Sequence, residues 1–188
     1  MIFTAIAGHT QTILDAALAL DNDQIYFFKG NKAVLFSNLS NKVLKEQTIA
    51  QAFPGVNFTK VDAATNYGNG KIYLFSGSQY SRIDLSNLSE DEGYPKKTPD
   101  YWSGVNFNQV NAVISWSNGK TYFFGREEGY LRYDQDDAET DAGYPKSINE
   151  QTWPGVNFNE IDAACALPNG KTFFFRGNQY VRFDNDND

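Results

Sequence analysis

The chain repeats itself about every fifty residues. Four segments, Leu14-Asp15-Ala16-Ala17, Val61-Asp62-Ala63-Ala64, Val110-Asn111-Ala112-Val113 and Ile161-Asp162-Ala163-Ala164, share one pattern, and their Asp/Asn positions lie 47, 49 and 51 residues apart. A period of this length limits the fold to architectures in which one small unit cannot bury its apolar face alone and packs on its neighbours.

Each unit has the same internal order. Asn69-Gly70-Lys71, Asn118-Gly119-Lys120 and Asn169-Gly170-Lys171 follow three of the segments, with Asp21-Asn22-Asp23 as the looser first copy. Asn-Gly between β-rich runs predicts a tight hairpin of the I′ type, which uses positive φ at both central residues. Aromatic runs come next: Ile25-Tyr26-Phe27-Phe28, Ile72-Tyr73-Leu74-Phe75, Thr121-Tyr122-Phe123-Phe124 and Thr172-Phe173-Phe174-Phe175. Continuous apolar runs of this length suit strands covered on both faces.

A third run, Tyr80-Ser81-Arg82-Ile83-Asp84, recurs as Tyr130-Leu131-Arg132-Tyr133-Asp134 and Tyr180-Val181-Arg182-Phe183-Asp184. Strand periodicity puts its Tyr, Arg and Asp on one face, where the Arg and Asp two apart can pair and the Tyr can cover the Arg stem. In the first copy Ala33, Leu35 and Ser37 replace that polar face. Gly93-Tyr94-Pro95-Lys96 and Gly143-Tyr144-Pro145-Lys146 predict short outer edge strands, where Pro is tolerated. Helical turns are expected over Gln47–Ala52 and Ser147–Thr152. The connections Phe53-Pro54-Gly55, Trp102-Ser103-Gly104 and Trp153-Pro154-Gly155 then lead into the next unit.

Four strands per unit and four units predict an all-β, four-bladed β-propeller. The blades are expected over 13–60, 61–109, 110–160 and 161–188, the last without its outer strand. Gly8 precedes Asp15 by seven residues, the spacing of Gly55 to Asp62, Gly104 to Asn111 and Gly155 to Asp162. Residues 1–12 are therefore expected to close the ring against blade 4. The open edge of that blade calls for a cover, for which a second subunit is one candidate.

The combination of Asp-Ala-Ala, an aromatic strand and Gly-x-Gln-Tyr-x-Arg-x-Asp, best preserved in Phe75–Asp84 and Phe175–Asp184, resembles the hemopexin-like repeat. That repeat occurs in hemopexin, in matrix metalloproteinase C-terminal domains, in legume seed albumins and in some microbial proteins. The resemblance implies a disc with an axial channel holding a cation, calcium or sodium, and often an anion such as chloride. Carried over by position, one ion would meet the main-chain carbonyls of Asp15, Asp62, Asn111 and Asp162. A second would meet the main chain of Ala17, Ala64, Val113 and Ala164. Four carbonyl oxygens suit a hard cation; the bland alternative is that the four Asp/Asn only anchor neighbouring blades. Many members tie the first blade to the last with a disulfide, which a chain with one Cys lacks.

Composition narrows the function. A net charge of -7 opposes sequence-independent binding to nucleic acid. One Cys, Cys165, and one His, His9, cannot make a Cys/His zinc site in one chain, and two His ligands to haem are excluded in a monomer. His9 is the sole candidate axial ligand for haem, and Cys165 reads as a buried filler. No nucleophile elbow, zinc-protease motif or phosphate loop is present, so no enzyme is expected. The carboxylates between Glu90 and Asp141, 11 of 23, read as solvated loops with the alternative of attracting calcium or a polyamine. Asp184-Asn185-Asp186-Asn187-Asp188 lacks the later Gly and Glu of a calcium loop.

No basic residue precedes Lys29 and no window is apolar enough to span a bilayer, so the expectation is a soluble chain without a signal peptide or membrane contact. The expected function is non-enzymatic ligand binding, the ligand being a polyamine or haem. The alternatives are a lectin, with Trp102 and Trp153 as sugar-stacking candidates, and a storage or protein-interaction scaffold.

Overall fold

The computed structural model describes residues 14–184. Four antiparallel sheets follow one another along the chain. Blade 1 contains β1 (Ala16–Ala19), β2 (Gln24–Lys29), β3 (Lys32–Ser37) and β4 (Lys42–Thr48), followed by the helical turn α1 (Ile49–Ala52). Blade 2 contains β5 (Ala63–Asn66), β6 (Lys71–Ser76), β7 (Gln79–Asp84) and β8 (Lys96–Lys97), with α2 (Thr98–Tyr101). Blade 3 contains β9 (Ala112–Ser115), β10 (Lys120–Gly125), β11 (Gly129–Asp134) and β12 (Glu139–Thr140). Blade 4 has three described strands, β13 (Ala163–Ala166), β14 (Lys171–Arg176) and β15 (Gln179–Asp184). Each sheet runs in chain order from its innermost strand outward, and β1, β5, β9 and β13 adjoin one another in a ring. The arrangement is a four-bladed propeller. No described helix is long and apolar enough to cross a membrane.

Register explains why small residues recur beside aromatics. Ala16 pairs with Phe28, Ala63 with Phe75, Ala112 with Phe124 and Ala163 with Phe175. Near the axis four backbones converge and only small side chains fit. One strand outward the gap between blades widens, and a ring fills it.

The core accordingly divides into four clusters, each lying between two blades. Blades 1 and 2 share Leu18, Phe28, Phe53, Ile72 and Leu74. Blades 2 and 3 share Phe75, Trp102, Phe123 and Tyr133, and blades 3 and 4 share Phe124, Trp153, Phe174 and Phe183. Blades 4 and 1 meet through Ala17, Phe27, Phe36, Cys165, Phe173 and Phe175. The first three seams each take the aromatic residue of a connection, Phe53, Trp102 or Trp153, as a wedge. The fourth has no such wedge among the described residues. The predicted closing segment, 1–12, lies outside them.

Three local expectations are corrected. Gly70, Gly119 and Gly170 have positive φ of 80°, 78° and 78°, but the Asn before each does not, so the turns are not of type I′. Each Asn side chain instead accepts the backbone N–H two residues on, at 3.2 Å for Asn69–Lys71 and 3.1 Å for Asn118–Lys120. That Asx bond stabilises a four-residue loop closed by Tyr67 N–H to Lys71 O and Trp116 N–H to Lys120 O. The segment Ser147–Thr152 makes turns rather than a helix, with the Asn149 side chain accepting from Gln151 and Thr152. The equivalent Thr48 of blade 1 does cap α1, in a reciprocal box with Gln51.

The third correction concerns the Tyr-x-Arg-x-Asp strands. Arg82 pairs at 2.5 Å with Asp91 of its outer segment, and Arg132 pairs with Asp141. Asp84 and Asp134 go to Lys71 and Lys120 on the adjoining strand. The ring over Arg82 is that of Tyr94, 4.9 Å away, not Tyr80. Two residues of the acidic stretch, Asp91 and Asp141, thus fasten the blade edge instead of standing in solvent.

Candidate functional site

The ring of inner strands has two ends, and the chain builds them from different chemistry. At the starting end stand Asp15, Asp62, Asn111 and Asp162. Each side chain reaches to the turn between the second and third strands of its own blade. Asp15 accepts Gly30 N–H at 2.6 Å, Asp62 accepts Gly77 N–H at 2.8 Å, Asn111 accepts Arg126 N–H at 2.9 Å and Asp162 accepts Gly177 N–H at 2.8 Å. Cations bridge the blades around this rim. Lys60 lies 2.6 Å from Asp62 and 3.8 Å from Asp15, and Arg126 reaches Asp162 at 3.4 Å. Burial works to lower the Lys60 ammonium, but its hydrogen bond to Asp62 and the charges of Asp62 and Asp15 outweigh burial and hold its pKa above the ordinary value.

The carboxylates of the rim are therefore engaged with N–H groups and cations. Among the described residues no group of three or more His, Cys, Asp or Glu side chains is placed to hold a metal. With these carboxylates engaged, an axial cation would have to be held by main-chain oxygens, which would suit calcium or sodium better than a soft metal.

At the other end the inner strands finish in Ala19, Asn66, Ser115 and Ala166, which open into a bowl of about 440 Å³. Its wall is completed by Tyr67, Asn69, Trp116, Ser117, Gln135 and the Leu167-Pro168 turn, with no Asp, Glu, Lys or Arg in the lining. The polar groups are held in place by one another. Gln135 donates to Thr121 Oγ1 at 2.9 Å, Thr121 and Ser115 hydroxyls lie 2.9 Å apart, and Thr65 Oγ1 donates to Ser115 at 3.1 Å. Asn66 Nδ2 donates to Leu20 O of the neighbouring blade 1, and Trp116 Nε1 donates to Thr172 Oγ1 at 3.0 Å. Burial, then neighbouring phenols, push the Tyr67 hydroxyl above its ordinary pKa, so it is a neutral donor. Fixed amides and hydroxyls beside the half-buried Tyr67 ring line the bowl without a charge, whereas the Trp116 indole, 6% exposed, is packed into the seam of blades 3 and 4.

Blades 2 and 4, with their inner Asp62 and Asp162, are matched by the family model described as Hemopexin, over residues 61–106 and 161–187. Two stretches of the chain thus match hemopexin repeats, and the four-bladed propeller has the hemopexin fold. Vitronectin of Sus scrofa is 35% identical over 128 residues, 65% of this chain and 26% of vitronectin. Matrix metalloproteinase-2 of Drosophila melanogaster is 28% identical over 130 residues, 69% of this chain and 16% of that protein. The chain thus spans about a quarter or less of these relatives' length. A plant lectin with two metal-binding sites from Cicer arietinum superposes with a TM-score of 0.77 at 23% identity, over 92% of this chain and 87% of that one.

The remaining expected site residues of this hemopexin-fold chain fall as follows. Trp102 and Trp153 are 5% and 3% exposed, which corrects their reading as sugar-stacking surfaces: both rings are consumed by the blade seams. Trp102 packs within 5.2 Å of Phe123 and Tyr133, and Trp153 within 5.2 Å of Tyr122 and Phe174. His9 lies outside the described residues. Cys165 is fully buried and its thiol is pushed up to about 12 by burial, so it is inert packing. The sequence reading missed the bowl. Its one available signal was Trp116, the Trp that sits beside an Asn-Gly loop rather than in a connection.

Proposed function

We propose that this chain is a non-enzymatic hemopexin-type binding module whose ligand is a neutral sugar, taken in the bowl at the finishing end of the inner strands. The observation that carries the reading is the lining: amides, hydroxyls and the half-buried Tyr67 ring, without a charged side chain. A polyamine would desolvate ammonium groups there with no carboxylate to receive them, which is costly. Haem would find no described His, and a thiol that stays protonated. The lectin from Cicer arietinum, with the same fold, lends the sugar reading support.

A second element of the proposal is a structural cation at the opposite end, held by main-chain oxygens of Asp15, Asp62, Asn111 and Asp162, with Ala17, Ala64, Val113 and Ala164 as an inner set. Such an ion would neutralise main-chain carbonyl dipoles directed at the axis.

A glycan array followed by calorimetry tests the sugar reading, with Gln135→Ala removing one amide of the bowl. Binding to neutral glycans that weakens in the variant is expected. Heat from spermine with silence across the glycans would overturn the reading in favour of a polyamine.

A further inference from the structure

The Asn-Gly pairs Asn69-Gly70, Asn118-Gly119 and Asn169-Gly170 join the first two strands of blades 2, 3 and 4, and all three are open in principle to the same chemistry. A glycine nitrogen that gives up its proton to water can attack the Cγ of the preceding Asn side chain. A C–N bond forms, the side-chain nitrogen leaves as ammonia, and a succinimide ring remains. Water then opens the ring at one of its two carbonyls and leaves aspartate or isoaspartate. Water is consumed and ammonia released, with no oxidation or reduction. Glycine, lacking a Cβ, does not hinder the closure.

The three copies differ in what holds the attacking nitrogen. Gly119 N–H donates to Trp116 O at 3.3 Å and Gly170 N–H to Leu167 O at 3.2 Å, and both glycines are half-buried. Gly70 is exposed, and its N–H has no such backbone partner among the described residues. The difference traces to Gly68, whose φ is 86° and whose N–H goes to Asn66 Oδ1 at 3.2 Å, whereas Ser117 and Pro168 in its place have no positive φ. With the chain turned there, Tyr67 O does not accept from Gly70 as Trp116 O and Leu167 O accept from their glycines. Asn169 is fixed further by its own N–H, which donates to Asn22 Oδ1 at 3.0 Å. The bond from each Asn Oδ1 to the N–H two residues on is common to all three, at 3.2, 3.1 and 3.2 Å, and so does not separate them. Position gives the reaction a consequence: Asn69 stands in the wall of the bowl, and Asn118 and Asn169 do not.

We propose that the fold leaves Asn69, alone of the three, open to spontaneous deamidation, and that this modification converts the bowl from an uncharged surface to one carrying a carboxylate. At Gly119 and Gly170 attack must await a local opening that frees the N–H, while Gly70 needs none. The isoaspartate product also lengthens the main chain of the loop by one carbon, beside Asn66 and Tyr67 of the same wall. The bowl therefore has two forms that differ in charge, and the acidic form offers a cationic ligand an attraction that the neutral form lacks. The modification itself does not depend on what the bowl binds.

The molecule supplies its own controls. Purified protein is aged at mildly alkaline pH, digested and mapped by mass spectrometry, which reads the gain of about one dalton when an amide becomes an acid. Asn69 is expected to convert about fivefold faster than Asn118 or Asn169, the factor that one protecting hydrogen bond contributes. In concentrated urea the three should convert at similar rates, because the loops share Asn-Gly-Lys and only the fold tells them apart. Asn69→Gln should remove the leading acidic species seen by ion exchange, with circular dichroism to check that the variant is folded. Equal rates in the folded protein, or a faster Asn118 or Asn169, overturn the proposal. So does a lead of Asn69 that persists in urea, which would assign it to local sequence rather than to the fold.

Discussion

Asp62 performs two tasks with its two oxygens. One closes the β6–β7 turn by accepting Gly77 N–H, and the other holds Lys60 between blades 1 and 2. Asp62→Ala removes both and is expected to cost about 2 kcal/mol in urea denaturation, most of it from the turn N–H left without its acceptor. Asp62→Asn should cost about half as much, roughly 1 kcal/mol, because a carboxamide still caps the turn. Asn111 already does so for Arg126 N–H in blade 3. The four Asp/Asn were the plainest signal in the sequence, and their recurrence was legible at once. Their side-chain role was not, because the N–H groups they cap sit 15 residues downstream and become neighbours only when the blade folds.

The carboxylates of the third strands set the acid limit. Asp84 is held at about 2 by the Ser86 hydroxyl and then Lys71, and Asp134 at about 2 by Lys120 and then the N–H groups of Asp137 and Asp136, against an ordinary value of 3.8. Their folded pKa lies below the unfolded one, so the unfolded chain takes up protons first as pH falls. The stability they lend is complete above about pH 4 and disappears between about pH 4 and 2. Urea midpoints should be level from about pH 7 to 5 and drop steeply below 4, with a shallower drop in the Asp84→Asn, Asp134→Asn double variant.

At the scale of elements, the connections prove to be wedges. Phe53, Trp102 and Trp153 occupy equivalent places, and the indole N–H of Trp102 and of Trp153 is buried without a hydrogen-bond partner among the described residues. Trp102→Phe copies blade 1 and removes that unsatisfied group, so its stability should stay within about 1 kcal/mol of the parent, whereas Trp102→Ala should lose about 4 kcal/mol. The position of Phe53 in this series was the readable hint that all three rings are buried, since a Phe offers the sequence no polar reason to face out.

The glycines of the same connections separate by what covers them. Gly104→Ala meets both positive φ and the Thr140 side chain, while Gly155→Ala meets positive φ alone. Thermal denaturation should show the first costing about 1–3 kcal/mol more than the second. The bowl was beyond sequence reading for a different reason. It is assembled from the last residues of four strands, three hairpin loops and Gln135, and apart from Trp116 none of these residues stands out in its own unit.

For the whole molecule, the axial cation is the cheapest test of how the disc is held. If calcium lies among the main-chain oxygens at the starting end, exhaustive chelation should lower Tm by about 5–10 °C relative to protein at a free calcium concentration of about a hundred times Kd, and calcium should restore it. An unchanged Tm would exclude structural calcium. The propeller itself, its blade number and the layer of rings between blades were legible from period and spacing. What the period could not supply was which residues the disc leaves uncovered, because that depends on how blades meet.

The seam between blades 4 and 1 joins Asn169 N–H to Asn22 Oδ1, groups 147 residues apart in the chain, and sets Phe27 edge-on to Phe175 at 6.5 Å. The other three seams join consecutive blades. A contact of such long sequence separation forms late, after the hairpins and their neighbouring seams have folded. Within residues 14–184 it is also the seam without an aromatic wedge. The disc therefore has a clasp, and native-state hydrogen exchange should find it: amides around Asn169 and Leu20 should exchange through a lower-energy opening than those of β5 and β9. The motion would widen the bowl on one side, where Ala19, Leu167 and Gly170 form its wall. The weakest joint of the ring would then also be the route by which a ligand enters and leaves.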